Sequence, residues 1–131
     1  MKILFNTHIL SAGKHFKEIP FDVRIHGHKE VQIAKTIRAQ TAKTFDRGNF
    51  RTEFSFSIGK RHASSTDAER HAFMHTASFI HLQGNLILEL ENKQNHRFVL
   101  ENACIYDISS NFTANASFHH YRIHGSELKK L

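Results

Sequence analysis

Histidine carries most of the chemical capacity of this chain, at 12 of 131 residues. His71 and His75 stand four apart, a spacing that on a helix puts both rings on one face and can bind zinc. A metalloprotease of that type needs a glutamate after the first histidine as general base. The segment here reads His-Ala-Phe-Met-His, so that activity is excluded. His26 and His28 would share one face of a strand, and His119, His120 and His124 gather near the C-terminus, sets of the kind a transition metal uses. Yet the histidines are spread over the whole sequence, mostly at positions that the patterns below turn to solvent. The expectation is therefore solvent-facing histidines, no native metal site and no cofactor, with a histidine-based metal or pH-responsive protein as the third reading of function.

Other reactive side chains point away from catalysis. Cys104 sits among Ala103, Ile105 and Tyr106, the setting of a small buried hydrophobe rather than an activated thiolate. Glu89 and Glu91 share the outward face of a strand and read as solvated surface. Gly59-Lys60-Arg61 lacks the glycine-rich lead of a phosphate loop. The chain is expected not to be an enzyme and to have no small-molecule substrate.

Basic charge is the remaining signal. The net charge is +6, and residues 29–61 concentrate Lys29, Lys35, Arg38, Lys43, Arg47, Arg51, Lys60 and Arg61 against only Glu30, Asp46 and Glu53. Interleaved with Phe45, Phe50, Phe54 and Phe56, this pattern fits a basic, aromatic surface for single-stranded nucleic acid. The phenylalanines, however, follow the inward parity of a strand pair, so the charges serve equally to meet an acidic partner or neighbouring subunit.

These residues must be positioned mainly by strands. In 19–25, Ile19, Phe21, Val23 and Ile25 alternate with polar residues and Pro20, the period-2 pattern of a half-buried strand, until Gly27 breaks the run. Val31, Ile33 and Ile37 share one parity, as do Phe50, Phe54, Phe56 and Ile58, and Asp46-Arg47-Gly48-Asn49 between them is a turn-forming cluster. Folding there pairs Phe45 with Phe50 and Ile37 with Ile58 in a hairpin with arms of about a dozen residues, against the usual 5–6. Its tip, residues 40–51, is expected to project beyond the core.

Thr66-x-x-Glu69 after Ser64-Ser65 is a capping box opening a helix over 66–83, with Gly84 as its stop. At 100° per residue, Ala72, Phe73, Thr76, Ala77, Phe79 and Ile80 form its packing face, leaving His71, His75 and Ser78 opposite. Strands return at 85–91 and 97–106, joined by a polar turn at 92–95, and a short strand at 118–124 follows a polar loop over 109–117. The order of about four strands, one helix and about three strands predicts a mainly β (α+β) protein: an antiparallel sandwich or barrel with one packed helix and a long hairpin, in a single domain over 1–131. Length fits this, since roughly 100–200 residues make one domain.

Targeting signals are absent from this reading. Asn6, Thr7 and His8 interrupt the apolar start before it reaches the roughly 7–15 residues of a secretory core, and no run approaches the ~20 of a membrane span. The glycosylation patterns at Asn111 and Asn115 are then expected to be chance.

A small antiparallel sandwich or barrel with a long central hairpin (31–58), one mid-chain helix (66–83) and a closing hairpin (86–106) resembles the tail-tube fold of bacteriophages, shared by tube proteins, the tube-like domain of distal tail proteins and injection-system relatives. The resemblance implies a non-enzymatic structural subunit that forms a homo-oligomeric ring, commonly hexameric, with other tail proteins as partners. It implies that the long hairpin, carrying Lys35, Arg38, Lys43, Asp46, Arg47, Gly48, Asn49 and Arg51, reaches a neighbouring subunit. Tube lumens tend to be acidic, so this basic chain fits an adaptor, terminator or distal tail subunit better. The expected location is the virion, or the bacterial cytoplasm before assembly. The alternative is a basic nucleic-acid-binding β-barrel module.

Overall fold

The computed structural model describes residues 1–6, 8–12, 20–34, 43–90 and 96–131, with side chains at all of these except 11–12, 29–34 and 43–50. The protein is mainly β, with β1 (Lys2–Phe5), β2 (His8–Ala12), β3 (Phe21–Ala34) and β4 (Lys43–Arg61) before the helix α1 (Ser65–Phe79). After it come β5 (Gln83–Glu89), β6 (Arg97–Thr113), β7 (Ala116–Gly125) and β8 (Leu128–Lys130). All ladders are antiparallel and join eight strands in one open sheet, ordered β2-β1-β5-β6-β7-β4-β3, with β8 also paired to β6. Where the sequence pattern left sandwich and barrel both standing, the hydrogen-bonded path stays open at β2 and β3 among the described residues.

The long hairpin is present, but its turn is not at Asp46–Asn49. Val31 pairs with Asp46 and Lys29 with Phe50, so Arg47, Gly48 and Asn49 stand opposite Glu30 alone. Permissive turn-type residues here form a bulge inside β4, a role that needs the same backbone freedom as a turn. The pairing of Phe45 with Phe50 is therefore replaced by Gln32 with Phe45 and Lys29 with Phe50; Ile37, the expected partner of Ile58, lies outside the described residues, and Ile58 pairs with His119 on the β7 side. β3 runs through Gly27 without a break, and residues 35–42, which join the two strands, lie outside the described residues.

β6 is also longer than expected, replacing the anticipated loop up to Thr113 and reversing into β7 through a turn at Ala114 and Asn115. Its mixed apolar pattern has a geometric cause. Leu100 is buried; Asn102, with φ of 52°, then shifts the parity so that Ala103 and Ile105 are buried. A second irregularity between Ile105 and Asp107 shifts it back, burying Ile108 and turning Ser110 inward on the same row.

One apolar cluster fills the inner face: Ile3, Phe5, Phe54, Phe56, Leu86, Leu100, Ile105 and Ile123 are among its members. Gly125 opposes Leu100 so closely that a Cβ there would lie 2.2 Å from Leu100 Cγ. The helix packs over β6 and β7. Its N-cap is Ser64, whose hydroxyl accepts from the Asp67 backbone N–H at 3.2 Å, two residues before the expected cap. It ends at Phe79 rather than Gln83, and Gly84 (φ 153°) lies in β5, where Asn6 crowds the space a side chain would need.

Candidate functional site

The helix is turned about a quarter of a circle from the face expected of it. Ala68 and Ala72 are buried against the sheet, while Phe73 is 65% and Met74 62% exposed. His71, His75, Thr76 and Phe79 therefore line the covered side. Phe73 meets only the exposed Phe112 ring among the described rings, at 6.4 Å. The expectation that His71 and His75 face solvent is corrected: the inward stripe at positions 68, 71, 72, 75, 76 and 79 has helical spacing, but two of its members are histidines.

Three elements bring partners to that stripe. On β7 the residues Ser117, His119, Tyr121 and Ile123 alternate inward, and His119 is only 2% exposed. β6 contributes Ser110. His62, directly after β4, is anchored by its backbone N–H to the Asn115 carbonyl at 2.7 Å, and its Nε2 lies 2.7 Å from Ser117 Oγ. The result is a nest of imidazoles: His71 lies 4.7 Å from His62, 5.3 Å from His75 and 5.0 Å from His119 between ring centres, and His75 lies 4.3 Å from His119.

Hydrogen bonding orients the nest. Thr76 Oγ1 donates its one proton to the Ala72 carbonyl at 3.0 Å, so toward Ser110 Oγ, at 2.6 Å, it accepts. Ser110 thereby spends its proton on Thr76 and accepts from His119 Nδ1 at 2.8 Å. This chain assigns the His119 proton to Nδ1 and leaves Nε2 with its lone pair, directed at His71 Nδ1 3.1 Å away. His71 Nδ1 also lies 3.2 Å from Ser117 Oγ. His75 Nε2 bonds the Tyr121 hydroxyl, and the His75 ring stacks on Phe79.

Electrostatics keep the deepest rings neutral. Burial, then the neighbouring His71 and Lys60, lower the His75 pKa to about 4. Burial, then His75, His71, His62 and Lys60, lower that of His119 to about 3. A neutral imidazole with a hydroxyl partner can be enclosed at modest cost, whereas a charged one loses its hydration.

Among the described residues, those expected on the long hairpin are not part of the nest. Lys35 and Arg38 fall outside the described residues; the backbones of Lys43, Asp46, Arg47, Gly48 and Asn49 lie in β4. Arg51 is exposed, 3.8 Å from Glu53, next to the Thr52 end of the β4–β7 ladder, whereas His119 pairs with Ile58 toward the other end. Cys104 is a free, half-buried thiol in β6. His26 and His28 are exposed on β3, and His120 forms a 2.7 Å bond to Ser57 away from the nest.

One sequence signal for the nest existed. Tyr121 and Ile123 fix the inward parity of β7, and that parity includes His119. Its meeting with His62, 57 positions earlier, depends on β7 lying between β4 and β6 and had no local signal. Among the described residues, no helix is long and apolar enough to cross a membrane. No known family model, curated protein or solved structure matches this chain.

Proposed function

We propose that this protein is a non-enzymatic structural subunit that assembles with copies of itself by sheet-edge pairing, in the manner of a ring-forming subunit of a phage-tail-like assembly, as tube, adaptor or distal tail component. The observation that carries this reading is the β3–β4 ribbon. β4 continues as Lys43–Arg51 beyond the first residue paired to β7, Thr52, so among the described residues this part of it pairs only with β3. β3 is a terminal strand of the sheet, 14 residues long, with Phe21, Val23 and Ile25 exposed along it. A long, apolar edge strand is a template for another chain unless it is covered, and a neighbouring subunit covers it by adding a strand. Head-to-tail contacts of that kind close into a ring where the rotation between neighbours closes, and run on as a filament where it does not.

The mass of the intact chain by light scattering, at low and high salt, with negative-stain images of the same fractions, tests the reading. Rings or tubes are expected, and replacing Val23 and Ile25 together by lysine is expected to dissolve them while the circular dichroism of the domain is kept. A monomer at both salts with no assembled particles overturns it. Such a monomer binding oligonucleotides with an affinity that falls steeply with salt would instead favour the basic nucleic-acid-binding module.

A further inference from the structure

Sheet-edge assembly leaves the histidine nest unused, and its geometry has a use of its own. His71 and His75 project from one turn of α1 and His119 from β7, and one ring nitrogen of each lies within 4.8 Å of the other two. A tetrahedral zinc ion with Zn–N bonds of about 2.0–2.1 Å holds its nitrogens about 3.3 Å apart. His71 Nδ1 and His119 Nε2 are already 3.1 Å apart, and the proton between them moves to His71 Nε2 when an ion takes its place. No pair in the set is more than 4.8 Å apart, so gathering the three nitrogens around an ion shortens any one separation by at most about 1.5 Å.

The donor set and its surroundings also suit a metal. Three imidazoles with no carboxylate among them select zinc, copper or nickel over calcium or magnesium. The hydrogen-bond chain through Ser110 and Thr76 to the Ala72 carbonyl holds the proton of His119 on Nδ1 and presents Nε2 as a donor atom. Metal-binding histidines are oriented in this way, by a partner on the far ring nitrogen. Among the described residues Lys60 opposes the ion, since its charge acts on both His75 and His119.

We propose that His71, His75 and His119 bind one divalent transition-metal ion of the zinc type, with a fourth coordination position left to solvent. The site is separate from the β3–β4 ribbon, and its existence does not depend on assembly.

The test uses the full chain, stripped with chelator and titrated with Zn²⁺ against a chromogenic competitor, then with Co²⁺ for its visible spectrum. The expected result is one ion per chain and the intense bands of four-coordinate Co²⁺. Alanine at His71, His75 or His119 should weaken Zn²⁺ binding by more than the ~10–100-fold that changes outside the coordination sphere cost, and Ser110→Ala should fall within that range. Lys60→Gln should tighten binding, an effect that loss of folding would not produce. His26→Ala with His28→Ala, on the exposed edge strand, should leave it unchanged. Melting curves without metal identify any variant that is unfolded. The Co²⁺ spectrum of the unaltered chain stands whatever the variants do. No binding by the stripped chain, a six-coordinate Co²⁺ spectrum, or binding lost with His26 and His28 but kept when the three nest histidines are replaced would overturn the site.

Discussion

The inner row of β7 divides the core into two regions built on different physics. Ile123 and the ring of Tyr121 face Phe56, Ile105 and Leu100, an apolar half held by non-directional burial. Two and four residues before Tyr121, His119 and Ser117 on the same row face His62, His71 and His75, a polar half held by directed hydrogen bonds. The helix repeats the division, from Ala68, His71 and His75 to Phe79 at its end. The apolar half is filled by residues of suitable volume, while the polar half requires His75 and His119 neutral, with hydroxyl partners in one proton arrangement. Stability in the first is a matter of filling space, and in the second of protonation.

The comparison can be broken from either side. The largest effect is expected from Phe56→Ala, which empties the centre of the apolar half. It should cost about 3–5 kcal/mol in urea unfolding, with the pH dependence of stability unchanged. A pH-dependent loss would mean that the two regions are coupled.

The next effect is specific to the polar half. With His119 lowered to about 3 and His75 to about 4 against an ordinary 6.5, the unfolded chain binds more protons than the folded chain between those values. In chelator, the contribution of these two rings to stability should be level above pH 6.5, fall as pH drops below it and level again below about 3. Urea midpoints at pH 7 and pH 5 measure this, and glutamine at both positions should flatten the difference. Equal midpoints in the unaltered chain would mean that the rings are hydrated.

The smallest effect sharpens the boundary itself. Tyr121 stacks on Phe56 at 4.7 Å, while its hydroxyl bonds His75 Nε2. Tyr121→Phe keeps the ring and removes the oxygen, so it should cost about 1–3 kcal/mol by denaturant titration. A cost near that of Phe56→Ala would place Tyr121 wholly among the packing residues.

Particular residues show where legibility ended. Period-2 alternation around Leu86 and Leu88, and the serine approach to the helix, are local patterns, and the strands and helix they imply are present. Apolar periodicity misjudged α1 because it scored His71 and His75 as polar, although imidazoles with hydroxyl partners can be buried. It placed a turn at Asp46–Asn49 because turn and bulge draw on the same residues. The basic hairpin was visible as composition, while its register was not, since a shift of one residue changes no local preference.

What the sequence by itself determined is the class of structure: antiparallel strands in two blocks around one helix, from patterns that act over a few residues. The tertiary structure alone decided which histidines meet. That outcome follows from β7 inserting between β4 and β6, from the irregularity at Ile105 that turns Ser110 inward, and from a helix whose rotation was set by hydroxyl partners on two strands. Each depends on contacts between residues distant in the chain, whose free energy no local pattern encodes.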